Sequence, residues 1–274
     1  MLAALGLTLD PKNIHCPPLE AASRHYLVRM GLFKMLGIPS DIVITEHEPA
    51  GRFIPLAQIR TSEELTRFIT DMIPLLHLER EPAQTIAYIV SELVRNVLEH
   101  AEAPNGAILC AQYYKKSNSI RIGIADTGCG IKTTITRSHP AQTDLDAIRL
   151  ALMPGITGAT PREGGTEQNA GAGLFFIKSI ASVNRDFFVI YSGRGFYKLL
   201  KKSQARHGRL NADPFLDRHS ESADMPPWSG TLVGVDITLD RTEEFSLLLD
   251  AIRDTYGAAV RERRKERYRK PRFT

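Results

Sequence analysis

Three stretches of this chain hold residue types at spacings suited to phosphate chemistry. In Glu92-Leu93-Val94-Arg95-Asn96 a carboxylate and an amide stand four residues apart, so a helix would carry both on one face. There Asn96 can offer its carbonyl oxygen to Mg2+, a hard cation that takes oxygen ligands. Glu92 can orient and deprotonate a water or hydroxyl attacking a γ-phosphate. Asp126-Thr127-Gly128-Cys129-Gly130-Ile131 follows the apolar run Ile120 to Ala125. Its Asp can accept a hydrogen bond from the exocyclic amine of adenine, and its glycines let the backbone turn and lie against a flat ligand. The third stretch runs Gly164-Gly165-Thr166-Glu167-Gln168-Asn169-Ala170-Gly171-Ala172-Gly173-Leu174-Phe175. Its glycines precede an apolar helix, which offers bare N–H groups and a positive helix end to phosphates.

Each stretch alone also has a plain reading. Asp and Gly end strands for local reasons, and a polar helix stripe (Tyr88, Glu92, Asn96, Glu99) is commonly just a solvated face. Other glycine motifs fail. No Lys-Ser/Thr stands at P-loop spacing, and Gly171-Ala172-Gly173 lacks the third glycine of a dinucleotide fingerprint.

The elements that must position these residues follow from periodicity. Leu5 to Leu9 reads as a short strand, and Leu19 to Leu36 as a helix ended by Gly37. Pro39 to Arg60 reads as a connector. Thr61 or Ser62 caps a helix to about Leu76, with Leu65, Phe68, Ile69 and Met72 on one face. A second helix, Glu81-Pro82 to His100, has the stripe Ile86, Ile89, Val90, Leu93, Val97 and Ala101. Ala107 to Tyr114 and Ser119 to Ala125 form a hairpin, as do Phe187 to Tyr191 and Phe196 to Leu200. Lys132 to Ala170 is a long Thr-, Pro- and Gly-rich segment, helical only over Asp144 to Leu152, and fits a lid. Leu174 to Val183 is helical. Thr231 to Leu239 is a strand, and Asp240 with Glu243 caps a last helix buried through Phe245, Leu248, Leu249, Ile252 and Tyr256.

The 274 residues suffice for a large packed core, and no apolar run approaches the ~20 residues of a membrane helix. Met1 to Leu9 lacks the pattern of a secretory signal, and Cys16, Cys110 and Cys129 form no Cys-x-x-Cys pair. Both point to a reducing cytoplasm, with no disulfide framework or zinc site expected. The net charge of +4 is uneven: Arg261 to Thr274 holds eight basic and two acidic residues, a net +6, which leaves about −2 for the rest. Nucleic acid is therefore not an expected partner, and the tail reads as the solvated end of a helix.

The order Glu-x-x-x-Asn on a helix, Asp-x-Gly-x-Gly after a strand, then Gly-x-Gly-Leu before a helix resembles the GHKL ATPase superfamily, which includes gyrase and the histidine kinases. Glu92 and Asn96 match its N box, Asp126, Gly128 and Gly130 its G1 box, and Gly171 and Gly173 its G2 box. Gly230-Thr231 resembles its G3 element, with Thr231 a partner of the adenine-binding Asp. The resemblance spans about Ser62 to Leu239. It implies a two-layer α/β sandwich of Bergerat type, a mixed sheet with helices on one face. Added to it are an N-terminal α/β extension (1–60) for dimerisation or docking and a C-terminal helix with a basic tail (241–274). The ATP-binding domain would be 61–240, with a mobile lid over 132–170 hinged at Gly155, Gly158, Gly164 and Gly165. ATP and Mg2+ are the implied cofactors. Glu92 is the implied catalytic residue, Asn96 the metal ligand, and Ile131, Ala172 and Leu174 further nucleotide contacts. Thr157 would be either a phosphate contact or a plain turn residue. His100 would lie near the phosphates or simply end its helix. Lys178 is expected to be solvent-exposed.

Histidine kinases of the common type carry Asn where Glu92 stands. The N box here, Glu-Leu-Val-x-Asn-x-x-Glu-His-Ala, is closer to anti-sigma serine kinases and stand-alone histidine-kinase-like modules. Two classes of function follow. One is an enzyme that hydrolyses ATP or phosphorylates Ser/Thr on a partner protein. The other is a nucleotide-gated interaction module with little turnover, or a histidine-kinase catalytic domain acting in trans. A protein partner is expected, and a homodimer by analogy, since many members act as dimers.

Overall fold

The computed structural model describes residues 1–17, 23–40, 52–161, 172–200, 210–239 and 245–268. Within them, runs of alternating apolar residues become β1 (Phe53–Ile59), β2 (Ala107–Tyr114), β3 (Ser119–Ala125), β4 (Phe188–Gly193), β5 (Gly195–Leu199), β6 (His219–Ser222) and β7 (Trp228–Thr238). They form one sheet in the order β1-β2-β3-β7-β4-β5-β6. The last of the described strands thus lies at the centre, which sets Ala125 opposite Leu232 and Ser192 opposite Thr231. Every described pairing is antiparallel, where a mixed sheet was expected. Tight turns join β2 to β3 and β4 to β5, and such turns connect only antiparallel neighbours. The two-layer α/β architecture itself holds.

The helices are α1 (Leu2–Gly6), α2 (Arg24–Arg29), α3 (Leu32–Met35), α4 (Ser62–Arg67), α5 (Arg80–Asn96), α6 (Gly130–Thr136), α7 (Asp144–Ala151), α8 (Gly173–Asn184) and α9 (Phe245–Tyr268). One face of the sheet, through Ile120, Ile122, Ile124, Val233, Val235, Phe188 and Ile190, meets Ile86, Ile89, Leu93 and Val97 of the α5 stripe. Phe175, Ile177 and Ile180 of α8 and Ile252 of α9 complete this core. Ile89 is fully buried, and removing a side chain of that kind from water contributes about 1.5–3 kcal/mol.

The opposite face carries a smaller cluster in which Ala3 and Ala4 of α1 pack on Ile108 and Ala125, with Leu32, Leu56 and Leu232 around them. Leu5 to Leu9, read as a strand, instead falls on α1 and the turn after it. Ala favours helix, and the helical spacing of Ala3, Ala4 and Leu7 places them together on the sheet. Of the helix expected over Leu19 to Leu36, 19–22 lie outside the described residues; the rest is interrupted, with α2 and α3 separated at Gly31, whose φ of +82° no continuing helix permits. The connector Pro39 to Arg60 contains β1, so the sheet begins before residue 61. The helix expected from Thr61 to Leu76 is α4, capped by the Thr61 hydroxyl accepting from Glu64 N, followed by a wider π-type turn and a 3-10 turn. The polar insertion before β7 contributes the edge strand β6.

The lid segment is more structured than expected. Its described part forms α6, α7 (with a capping box between Thr143 and Asp146) and a small core of Ile135, Ala147 and Ile156. The proposed hinges Gly164 and Gly165 lie outside the described residues, as does the Asp240/Glu243 cap. The packing expected of Phe245 and Leu248 also falls outside the side chains described. α9 is buried through Ile252 and packs Tyr256 on Phe175 and Phe176. It continues to Tyr268, so the basic run begins on a helix.

Candidate functional site

α5 starts with an acidic first turn and Pro82, holds no internal glycine, and ends in a wider π-type turn over Val97–Ala101. Its last carbonyls would be orphaned at that end. The Asp126 turn satisfies them: Cys129 N donates to Ala101 O at 2.7 Å, and the Thr134 hydroxyl donates to His100 O at 3.3 Å. A side chain at Gly128 would fall on the Ala101 carbonyl, so only glycine lets the turn approach the helix end. The helix carrying Glu92 and the turn carrying Asp126 are thereby joined through backbone groups.

Between α5, this turn, α8 and the centre of the sheet lies a cavity of about 330 Å3, within the range of small-molecule sites. Glu92, Asn96, Asp126, Gly130, Ile131, Ala172, Gly173, Leu174 and Thr231 all line it. Gly128 lies behind the wall and shapes the turn. Gly171 is outside the described residues. The apolar floor comes from Leu93, Val97, Ile124 and Val233, which sequence patterns mark as core alone.

Asp126 is 2% exposed. Its Oδ1 accepts from Gly128 N at 2.8 Å and its Oδ2 from Thr231 N at 3.2 Å. Burial pushes its carboxyl up to about 6, against the lowering effect of those two bonds. The expected Thr231 partnership therefore runs through its backbone N–H, while its hydroxyl lies 3.4 Å from Ser192 Oγ. At the other end, Glu92 sits against Gly173, where any β-carbon would overlap the carboxylate. Burial raises the Glu92 carboxyl, with Arg95 acting the other way and Glu99 adding to the rise. Arg95 approaches Glu92 to 3.8 Å.

The described part of the segment expected to form a lid packs at the cavity. Ile156, Thr157 and Gly158 line the cavity, Gly158 packs on the Thr134 carbonyl, and the Ser138 hydroxyl donates to Gly158 O at 2.8 Å. The Thr157 hydroxyl accepts from Ala159 N, which makes it at least a turn residue. His100 lines the cavity beside Glu99.

Lys178 is corrected outright. It is fully buried, with Nζ 2.8 Å from Asp217 Oδ2 and 3.1 Å from Asn211 O, over the Phe175 ring. Its position on α8 faces the core, and the acid that pairs with it comes 39 residues later, a distance no local pattern reveals. Ser192, beside the β4–β5 turn, is a further cavity-side residue with no local sequence signal, because its hydrogen-bond partners come from other elements.

Among the described residues, no group of three His, Cys, Asp or Glu side chains could hold a metal unaided. Asn96, which lines the cavity, has a neutral carbonyl oxygen of the kind a Mg2+ otherwise held by waters and phosphate oxygens could take.

Residues 56–184 match the family model of the histidine kinase-like ATPase domain. The match takes in the second half of β1, α5, the Asp126 turn and α8, and stops before Ser192 and Thr231. No curated protein matches the chain.

Proposed function

From the premise that this chain belongs to the GHKL-type, histidine kinase-like ATPase superfamily, we propose that it binds Mg-ATP in the Asp126 cavity and hydrolyses it or transfers its γ-phosphate to a Ser/Thr of a partner protein. The observation that carries this reading is the pairing of two carboxylates with opposite tasks in one cavity: Asp126 deep against the sheet, Glu92 beside the glycine start of α8.

Each group has a role that follows from its chemistry. Ionised Asp126 accepts from the adenine amine, and Gly130 and Ile131 lie against the ring. The N–H groups at the start of α8 stay available to phosphate oxygens. Asn96 would hold Mg2+, which supplies charge neutralisation along the phosphates. Glu92 takes the proton from the attacking water or hydroxyl. Its raised carboxyl makes it a better base once ionised. The docked lid loop narrows the cavity and limits stray water.

The test is phosphate release and phosphotransfer, measured beside calorimetric ATP binding in the parent and in Glu92→Gln. Binding retained with turnover lost supports the enzyme. Turnover unchanged by Glu92→Gln, or absent from the parent, defeats it.

One observation favours the gated module as the second reading. α9 packs on Phe175 and Phe176 of α8, and its Arg263 donates to Pro154 O in the lid segment. Nucleotide in the cavity would then alter a C-terminal helix open to a partner. ATP-dependent protection of residues 245–268 from hydrogen exchange, with no turnover, would establish it.

A further inference from the structure

Ser192 stands at an irregularity in the central ladder. β4 pairs with β7 as Tyr191–Leu232 and Ser192–Thr231, but Gly193 then pairs with Trp228, so Ser229 and Gly230 have no opposite residue. Bulges of this kind re-aim the backbone and collect beside functional sites. Here Gly230 adopts φ +98°, and a β-carbon on it would lie 2.6 Å from Asp126 Oδ1. The bulge therefore lays bare backbone against the carboxylate and aims Thr231 N at its second oxygen.

The Ser192 hydroxyl holds that arrangement together. It is 2% exposed, donates to Gly230 O at 2.7 Å, and accepts from Ile131 N at 2.9 Å and from the Thr231 hydroxyl at 3.4 Å. One donation and two acceptances use its full hydrogen-bonding capacity. It is also the atom nearest to where a side chain on Gly130 would begin, at 3.0 Å. Three segments distant in sequence, the Asp126 turn, β4 and the β7 bulge, meet at this one oxygen.

The geometry points to Ser192 as the positioning residue that sets nucleobase discrimination at the Asp126 pocket. This rests on the reading of the cavity as an ATP site. Both Asp126 oxygens accept from backbone N–H groups, which fixes the orientation of the carboxylate. An adenine amine is accepted there, while the O6 of guanine, itself an acceptor, is repelled. Without the Ser192 hydroxyl, Ile131 N and Gly230 O lose their partner and the Thr231 hydroxyl is released. The carboxylate then loses its fixed aim, so attraction to adenine and repulsion of guanine weaken together.

The test measures Mg-ATP and Mg-GTP dissociation constants by calorimetry for the parent, Ser192→Ala and Ser192→Thr. Ser192→Ala should weaken ATP about tenfold and shrink the ATP/GTP ratio by at least that factor, as expected for buried groups left unpaired. Ser192→Thr, which keeps the hydroxyl, should keep the parent's ratio. A parent that binds neither nucleotide defeats the ATP reading itself. A selective parent with an equally selective Ser192→Ala overturns the inference, and so does a loss of both nucleotides by one factor, the mark of general loosening. Should Ser192→Ala fail to fold, Ser192→Cys carries the same comparison, because a thiol is a weak acceptor.

Discussion

Glu92 and Gly173, 81 positions apart, are in contact: the carboxylate of α5 occupies the space that a side chain at the first residue of α8 would need. The start of α8 and the Glu92 carboxylate thus lie side by side in the cavity wall. Gly173→Ala should displace Glu92 while improving helix propensity by up to about 1 kcal/mol. We expect turnover and ATP affinity to fall with the melting temperature held or raised. Parallel kinetics and thermal melts check this, and a fall in both would indicate plain misfolding.

Glu92→Gln keeps the shape and removes the base. Turnover should drop about 10²–10⁴-fold, the usual weight of general base catalysis. Because burial raises the Glu92 carboxyl, the acid limb of the parent's pH profile should lie above the ordinary carboxylate range. A rate profile flat down to pH 4 would remove Glu92 from the role.

Asp126 links pH to both stability and binding. Its folded carboxyl titrates near 6, against 3.8 as the ordinary value. A raised acid contributes stability that is fully present below about 4 and is lost as pH rises through 6, on the order of 3 kcal/mol for a shift of this size. Nucleotide-free protein should therefore lose stability from this group between pH 4 and 6, as read by urea titration. ATP needs the ionised form, so binding should weaken as pH falls below 6 and release protons near that pH. Calorimetry in buffers of different ionisation enthalpy measures the release.

Asp126→Asn should weaken ATP binding while sparing the fold. One backbone N–H loses its acceptor, but the charged state no longer has to be buried. Unaltered calorimetric binding would exclude Asp126 from the adenine contact.

The Lys178–Asp217 pair predicts a strong asymmetry. Lys178→Ala leaves Asp217 buried without its cation and should cost about 3–5 kcal/mol in urea unfolding. Replacing both, as Lys178→Met with Asp217→Leu, should recover most of that loss. A double variant as weak as the single one would show that the pair organises the Asn211 segment beyond its own charge.

Sequence by itself determined the parts whose physics is local. The stripe of α5 follows from helical spacing, and β2, β3 and their hairpin follow from alternation. A helix forces Glu92 and Asn96 onto one face regardless of what surrounds it. Tertiary structure alone decided whatever depends on partners far along the chain. It placed β7 between β3 and β4, turned Leu5 from a strand residue into part of a sheet-covering helix, and buried Lys178 against Asp217. It also gave Asp126 its partners, since Thr231 N arrives from a strand more than a hundred residues later. Whether a polar side chain faces water or a buried partner depends on the three-dimensional neighbour, and periodicity carries no record of that neighbour.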